Sequence, residues 1–289
     1  MMKTFDAFKD AIQFLEQTTS QTYLQCKIEA EEIFSYVMDY EKAKLYSDYI
    51  PEITEQLRAQ IKDILKKRND GVPLSYILKK HKFYKHEFYV DENVLIPRSE
   101  TESIIEHLLH QGDEIYKKKG RCVFLDAGCG SGCVGITVAN ERPEWKIILS
   151  DFYKTAINVS RKNLALCNFN NIELICGDWL KPFGSHTLDF VFSNPPYIAI
   201  NDNRVEGSVS DNEPHTALYS GKDGLDAIRN IVESSPGALS KGGALILEFG
   251  IDQSKAIISL LELNDFTDIS IHMDYNMMPR FASSHKENG

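Results

Sequence analysis

The chain has 289 residues, enough for about two domains, and 43% of them are hydrophobic, which excludes a disordered chain. A formal net charge of −10 argues against a broad surface that tracks phosphates, so no direct nucleic-acid substrate is expected. No apolar run reaches the roughly eighteen residues of a membrane span, so no membrane partner is expected either.

The start of the chain, Met1 to Asp6, has no apolar h-region and carries an acid early, unlike a secretory signal or an Arg-rich transit peptide. Residues 1–72 read as a small helical domain. Phe5, Phe8, Ile12 and Leu15 recur at three- and four-residue steps, as do Ala30, Ile33, Phe34, Val37 and Met38, then Ile53, Leu57, Ile61 and Leu65. Lys66, Lys67 and Arg68 followed by Gly71 mark a helix end, and the charges are expected on solvated faces. Residues 73–97 change to short β-forming runs, Phe83-Tyr84 and Phe88-Tyr89-Val90, and read as a β-hairpin linker; His81 and His86 beside it are given no role. Residues 98–289 form the third segment. Ser99 and Glu102 have the spacing of a capping box, with Ile104, Ile105, Leu108 and Leu109 as the apolar face of the helix that follows. Arg98 and Glu100 have no structural explanation at this level.

From Cys122 the chain alternates strand and helix. Strands are expected at 122–126, 146–150, 172–176, 188–193 and 244–249, with two more near the end, and helices between them. That alternation means an α/β fold: a mostly parallel sheet of seven strands with helices on both faces. The long connection from Ile198 to Lys222 has little periodicity, and a loop of that length in a compact domain is usually functional. The six cysteines, Cys26, Cys122, Cys129, Cys133, Cys167 and Cys176, stand singly with no Cys-x-x-Cys pair. Reduced thiols in a cytoplasmic protein are expected, without a disulfide framework or a metal site. A monomer is expected.

Four strand ends carry the chemistry. The first is Asp126-Ala127-Gly128-Cys129-Gly130-Ser131-Gly132. Its competitor is the dinucleotide fingerprint G-x-G-x-x-G, whose third glycine falls on Cys133. The observed G-x-G-x-G with Asp126 ahead of it resembles the S-adenosylmethionine loop of class I methyltransferases, and a carboxylate beside the loop suits a ligand bearing an ammonium group better than a pyrophosphate. The second is Asp151, placed either to accept hydrogen bonds from ribose hydroxyls or to cap a helix. The third is Gly177-Asp178-Trp179, where Asp178 would reach an adenine amino group and Trp179 would line its pocket, unless the pair is a turn and a packed ring. The fourth is Asn194-Pro195-Pro196-Tyr197 at the end of an apolar strand. Two prolines and a pre-proline Asn make a stiff corner. As a plain turn it needs no ligand. As a site it fits a planar –NH2 group: the Asn194 side chain and the Pro195 carbonyl take its two hydrogens and Tyr197 covers its face. Beside a sulfonium methyl donor such a corner specifies N-methylation by direct displacement, with Asn194, Pro195 and Tyr197 as the catalytic group and no strong general base required. Adenine N6, cytosine N4 and a glutamine amide all meet this description.

Nearly the whole chain resembles the HemK-like protein-(glutamine-N5) methyltransferases that act on peptide-chain release factors. The resemblance lies in Pro73 to Leu78, Phe83-Tyr84, Val94 to Arg98 with Glu100 to Glu102, the Asp126–Gly132 loop, Gly177 to Trp179 and Asn194 to Ile198. It continues in Glu213-Pro214 with Ala217-Leu218, in Gly221 to Leu225, and in Glu248 to Gly250. It implies a class I methyltransferase fold behind a small helical domain. It implies that Gly128, Cys129, Gly130, Ser131, Gly132, Asp151, Trp179 and Asn194 contact S-adenosyl-L-methionine. It also implies that Asn194, Pro195, Pro196 and Tyr197 hold the glutamine of a Gly-Gly-Gln tripeptide while the helical domain helps to dock the release factor. Ser99 in place of a proline, Lys85-His86 in place of a glycine turn, and the segment Phe281 to His285 depart from the family pattern.

Overall fold

A computed structural model describes residues 4–47, 52–167, 169–202 and 211–286. The chain divides into two compact units, Met1–Lys79 and Lys80–Gly289.

In the first unit, helices α1 (Thr4–Thr18), α2 (Tyr23–Met38), α3 (Glu55–Asn69) and the short α4 (Leu74–Leu78) surround one core. Phe8, Ile12, Leu15, Ala30, Ile33, Phe34, Ile61 and Leu65 are all buried in it, as their spacing requires, whereas Phe5 is exposed. Arg68 does not reach solvent as expected. Its guanidinium turns inward to the buried carboxylate of Glu29 and donates to the carbonyl of Val72 at 2.8 Å.

The second unit opens with a hairpin, β1 (His81–Phe83) and β2 (His86–Phe88), turned by Tyr84 at φ +55°. Next comes α5 (Ser99–Glu102) and then α6 (Ile105–Lys119). The capping box expected at Ser99 is absent. Ser99 is the first helical residue, Arg98 takes the cap position without a side-chain capping bond, and the Ser99 hydroxyl donates to Glu100. Ile104, Ile105, Leu108 and Leu109 are buried as expected.

The sheet contains β3 (Val123–Ala127), β4 (Lys146–Asp151), β5 (Ile172–Cys176), β6 (Leu188–Ser193), β7 (Leu239–Glu248), β8 (Phe266–Met273) and β9 (Pro279–Lys286). Its spatial order is β5-β4-β3-β6-β7-β9-β8, parallel from β5 through β7 and antiparallel at β9 and β8. This is the mostly parallel, seven-stranded α/β sheet that the alternation called for. The helices include α7 (Cys133–Glu141), α8 (Lys154–Ala165), α9 (His215–Leu218), α10 (Asp226–Ala238) and α11 (Ser254–Leu263). Successive strand side chains point to opposite faces. Phe124, Phe190, Phe192 and Ile246 therefore fill one core with α6 and α7, while Leu125, Val191, Leu245 and Leu247 fill the other with Ile228 and Ile231 of α10 and Ile257 of α11. Each such side chain contributes about 1.5–3 kcal/mol on full burial. Phe281 to His285, left unassigned by sequence, lies in β9, which is hydrogen-bonded to both β7 and β8. The strand order reverses between β4 and β6 on either side of β3. A crevice outside the carboxyl ends of the strands opens at such a reversal.

Candidate active site

The crevice begins at the end of β3. Gly128, Gly130 and Gly132 hold φ of +73°, +54° and +79°, a left-handed conformation that side chains rarely adopt. The chain can therefore double back over the neighbouring strand: the N–H groups of Gly128 and Cys129 both donate to the Ser150 carbonyl, at 2.8 and 2.9 Å. Asp151, at the end of β4, holds the loop from outside. One of its oxygens accepts the Gly130 N–H at 3.0 Å and the other the Tyr153 N–H at 2.9 Å. Each oxygen keeps a further lone pair, and burial raises the Asp151 carboxyl above the usual range. Asp126 lies beneath the loop, accepts the Gly135 N–H at 2.9 Å, and is pushed up to about 7, first by burial and further by the Asp151 charge.

Gly128, Cys129, Gly130, Ser131, Asp126, Asp151, Trp179, Asn194 and Pro196 all line one cleft. Gly132 does not. Its α-carbon backs onto Leu149, Ile136 and Ser160, where it starts α7. The Trp179 ring lies against Gly128, close enough that a Cβ there would come within 2.9 Å of it, and it also packs on the core beneath. Asp178 is not among the lining residues and pairs with Lys181. The opposite wall comes from Asn93, Val94, Leu95, Pro97 and Arg98, with Pro214, Thr216 and Ala217. Among the charged residues that line the cleft, two are the carboxylates beside the glycine loop and one is the guanidinium of Arg98.

At the end of β6, Ser193 donates to the Ala127 carbonyl at 2.6 Å, fastening the two strand ends on either side of the reversal. Asn194 follows. Its Nδ2 donates to Thr101 Oγ1 at 3.2 Å, and the Thr101 hydroxyl donates to Glu248 Oε2 at 2.7 Å. Thr101 and Glu248 are both buried, and burial, only partly offset by the Thr101 hydrogen bond, pushes the Glu248 carboxyl up to about 7. Pro195 and Tyr197 face a second cavity together with Ile198 and Leu218. Asn194, Arg98, Leu95 and Ala217 border both cavities. Burial, with the Glu248 charge nearby, raises the Tyr197 hydroxyl well above its ordinary range.

Sequence reasoning missed the supports of this corner. Arg98 and Glu213 form an ion pair at 2.7 Å, and the second oxygen of the buried Glu213 accepts the Ile96 N–H at 3.1 Å. That clasp accounts for Arg98, and it holds the wall segment at 96–98 to the segment before Pro214. Gln253 donates to the Tyr197 carbonyl at 3.0 Å, and Gly224 packs so close to the same carbonyl that a Cβ would lie 2.3 Å from it. The long connection after Ile198 thus returns to the site through Glu213 to Leu218; its residues 203–210 lie outside those described.

The family model described as "Methyltransferase small domain" matches residues 100–210, and the one described as "PrmC N-terminal domain" matches residues 6–78. A release factor glutamine methyltransferase of Neisseria gonorrhoeae is 36% identical over 250 residues, 86% of this chain and 89% of that one. A release factor glutamine methyltransferase of Clostridium acetobutylicum is 32% identical over 284 residues, 96% of this chain and 97% of that one. Among solved structures, a methyltransferase from Pyrococcus furiosus overlays with a TM-score of 0.51 at 17% identity, over 74% of this chain and 94% of that one, a likeness of fold.

Proposed function

We propose that this chain, which belongs to the release factor glutamine methyltransferase family, transfers a methyl group from S-adenosyl-L-methionine to the side-chain amide nitrogen of the glutamine in the Gly-Gly-Gln motif of class 1 peptide-chain release factors. The observation that carries this reading is the position of Asn194. It borders both cavities, and its nitrogen is committed to Thr101, so its carbonyl oxygen is left for a partner.

The residues present fit the methyl donor. A glycine loop with open backbone, one buried and one half-buried carboxylate and a Trp face suit a ligand with an ammonium group, ribose hydroxyls and a flat base better than a pyrophosphate. Gly128, Cys129, Gly130 and Ser131 would border it, with Gly132 holding the loop's exit into α7. Asp151 would accept from ribose hydroxyls, and Trp179 would cover the base. When bound, the donor would supply a methyl carbon on positive sulfur; an amide nitrogen can take that carbon without prior deprotonation, the C–S bonding pair leaving with sulfur as a neutral thioether.

The rest belongs to the corner. A glutamine side chain entering the second cavity would offer its two N–H groups to Asn194 Oδ1 and the Pro195 carbonyl, with Pro196 and Tyr197 closing the sides. Accepting both N–H bonds raises electron density on a nitrogen whose lone pair is otherwise delocalised and holds it in line with the methyl. Positioning of that kind supplies on the order of 7–11 kcal/mol, and fixed dipoles stabilise the charge that develops. The methylated amide then loses its extra proton to solvent, and no metal is needed. We assign the helical unit, which matches the PrmC N-terminal domain, to docking of the release factor. The net charge of −10 favours a protein acceptor over a nucleic acid, and the unpaired cysteines favour a reducing cytoplasm, where we take the enzyme to act as a monomer.

The test is incubation with labelled donor and purified release factor, followed by mapping of the label. One methyl on the tripeptide glutamine is expected. Label confined to another protein or to RNA, or no label at all, overturns the reading.

A further inference from the structure

Asn194 can act as described only if its carbonyl oxygen, not its –NH2, faces the acceptor. We infer that Thr101 and Glu248 set this polarity: they are positioning residues that reach the reaction through Asn194. The inference rests on the function proposed above.

An ionised carboxylate only accepts hydrogen bonds. Glu248 therefore takes the single Thr101 hydroxyl proton, along the 2.7 Å contact. Thr101 Oγ1 is left with lone pairs alone, and only a donor can satisfy it from the Asn194 side. Nδ2 is that donor, at 3.2 Å. A flipped Asn194 would set Oδ1 against those lone pairs and point –NH2 at the acceptor's own N–H groups, two unfavourable contacts at once. Thr101 is 3% and Glu248 1% exposed, so water is not at hand to rescue either one.

The relay draws on separate parts of the fold: Thr101 on α5, Asn194 after β6 and Glu248 at the end of β7. The groups that face Glu248 are Arg280 on β9, which favours its charge, Glu100 on α5, which opposes it, and the Tyr197 hydroxyl, which favours it as a hydrogen-bond partner. Burial works the other way and brings the Glu248 carboxyl up to about 7. A protonated Glu248 can donate to Thr101, which frees Thr101 to donate to Asn194 and removes the preference for one amide orientation. Donor contacts to the glycine loop and Asp151 are untouched by either state.

The experiment compares wild type with T101V, T101S and E248Q in the mapped release-factor assay, with donor affinity by calorimetry on the same preparations. T101V is expected to lower kcat about ten- to a hundredfold, the scale of a misplaced reacting group, and to change donor Kd far less, although Thr101 borders the donor cleft. T101S, which keeps the hydroxyl, restores most of kcat. In E248Q the new amide can either accept from or donate to Thr101 and does not titrate. That variant is expected to lower kcat and to flatten its pH dependence, while wild-type kcat falls as pH drops below about neutrality. Wild-type transfer to the tripeptide glutamine is the control for the function itself; its failure counts against that reading. With the control active, T101V turning over within twofold of wild type overturns the relay. T101V and T101S losing kcat alike also overturns it. Should T101V not fold, the E248Q profile decides: a kcat and pH profile equal to wild type overturns the inference.

Discussion

In the proposed mechanism Asn194 and Asp151 each serve both the fold and the reaction. Asn194 spends its nitrogen on Thr101, which leaves its oxygen for the proposed acceptor. Replacing it with Ala forfeits one internal hydrogen bond, about 1 kcal/mol, but removes a group aimed at the reacting nitrogen, an effect of about a hundredfold or more on turnover. N194A should therefore melt within a few degrees of wild type while its methyl-transfer rate collapses; a rate within a few-fold of wild type would remove the amide from the mechanism. Asp151 spends one bond per oxygen on the Gly130 and Tyr153 N–H groups. D151A removes the charged acceptor proposed for the ribose and also releases the loop, so donor Kd measured by calorimetry should rise about ten- to a hundredfold. An unchanged Kd would take Asp151 out of the donor site. Both residues were legible because each stands at the carboxyl end of an apolar strand. Thr101 and Glu248 were not: residues 101, 194 and 248 have no spacing that relates them, and only the packing of α5 against the sheet ends brings them together.

Among the elements, the corner after β6 depends on what stands behind it. Gly224, at φ +77°, and Gln253 both press on the Tyr197 carbonyl. G224A must move that carbonyl and also hold an unfavourable φ, a cost of about 1–3 kcal/mol. The expected outcome is a lower melting temperature together with a lower kcat, as Tyr197 and the Pro195 carbonyl shift together; unchanged kcat in a folded G224A would show that the corner stands without this support. Strands and helices were readable here because buried strands are short apolar runs and the helices repeat at 3.6 residues. The misreading at Ser99 has a plain cause. A capping box requires a non-helical Ser, but here Arg98, held by Glu213, is the cap residue and Ser99 is already inside the helix. The segment Phe281 to His285 was silent because its small and polar residues, Ala282, Ser283 and Ser284, gain their burial only from the strands on either side.

At the level of the whole molecule, the free enzyme keeps two acids buried, Asp126 beneath the glycine loop and Glu248 behind Thr101. Asp126 and Glu248 are both raised to about 7 by burial, from 3.8 and 4.5. Between those limits the folded state binds more protons than the unfolded one, so this contribution to stability is complete below about pH 4 and is lost as pH rises through about 7. The free protein should therefore melt at a lower temperature at pH 8 than at about pH 5.5, and the difference should shrink in D126N, whose side chain is neutral at both pH values. Equal pH slopes for wild type and D126N would show that Asp126 is ionised throughout.

The sequence by itself determined the α/β sheet, the four strand ends that carry polar residues, and the corner at Asn194. These are local properties: apolar period, glycine conformation and proline stiffness act within a few residues of chain. The tertiary structure alone decided how the corner is aimed. The Thr101–Glu248 relay, the Arg98–Glu213 clasp and the Gly224 and Gln253 support join residues far apart in the chain. Whether a buried polar atom is satisfied depends on which partner the fold delivers to it, and no periodicity encodes that.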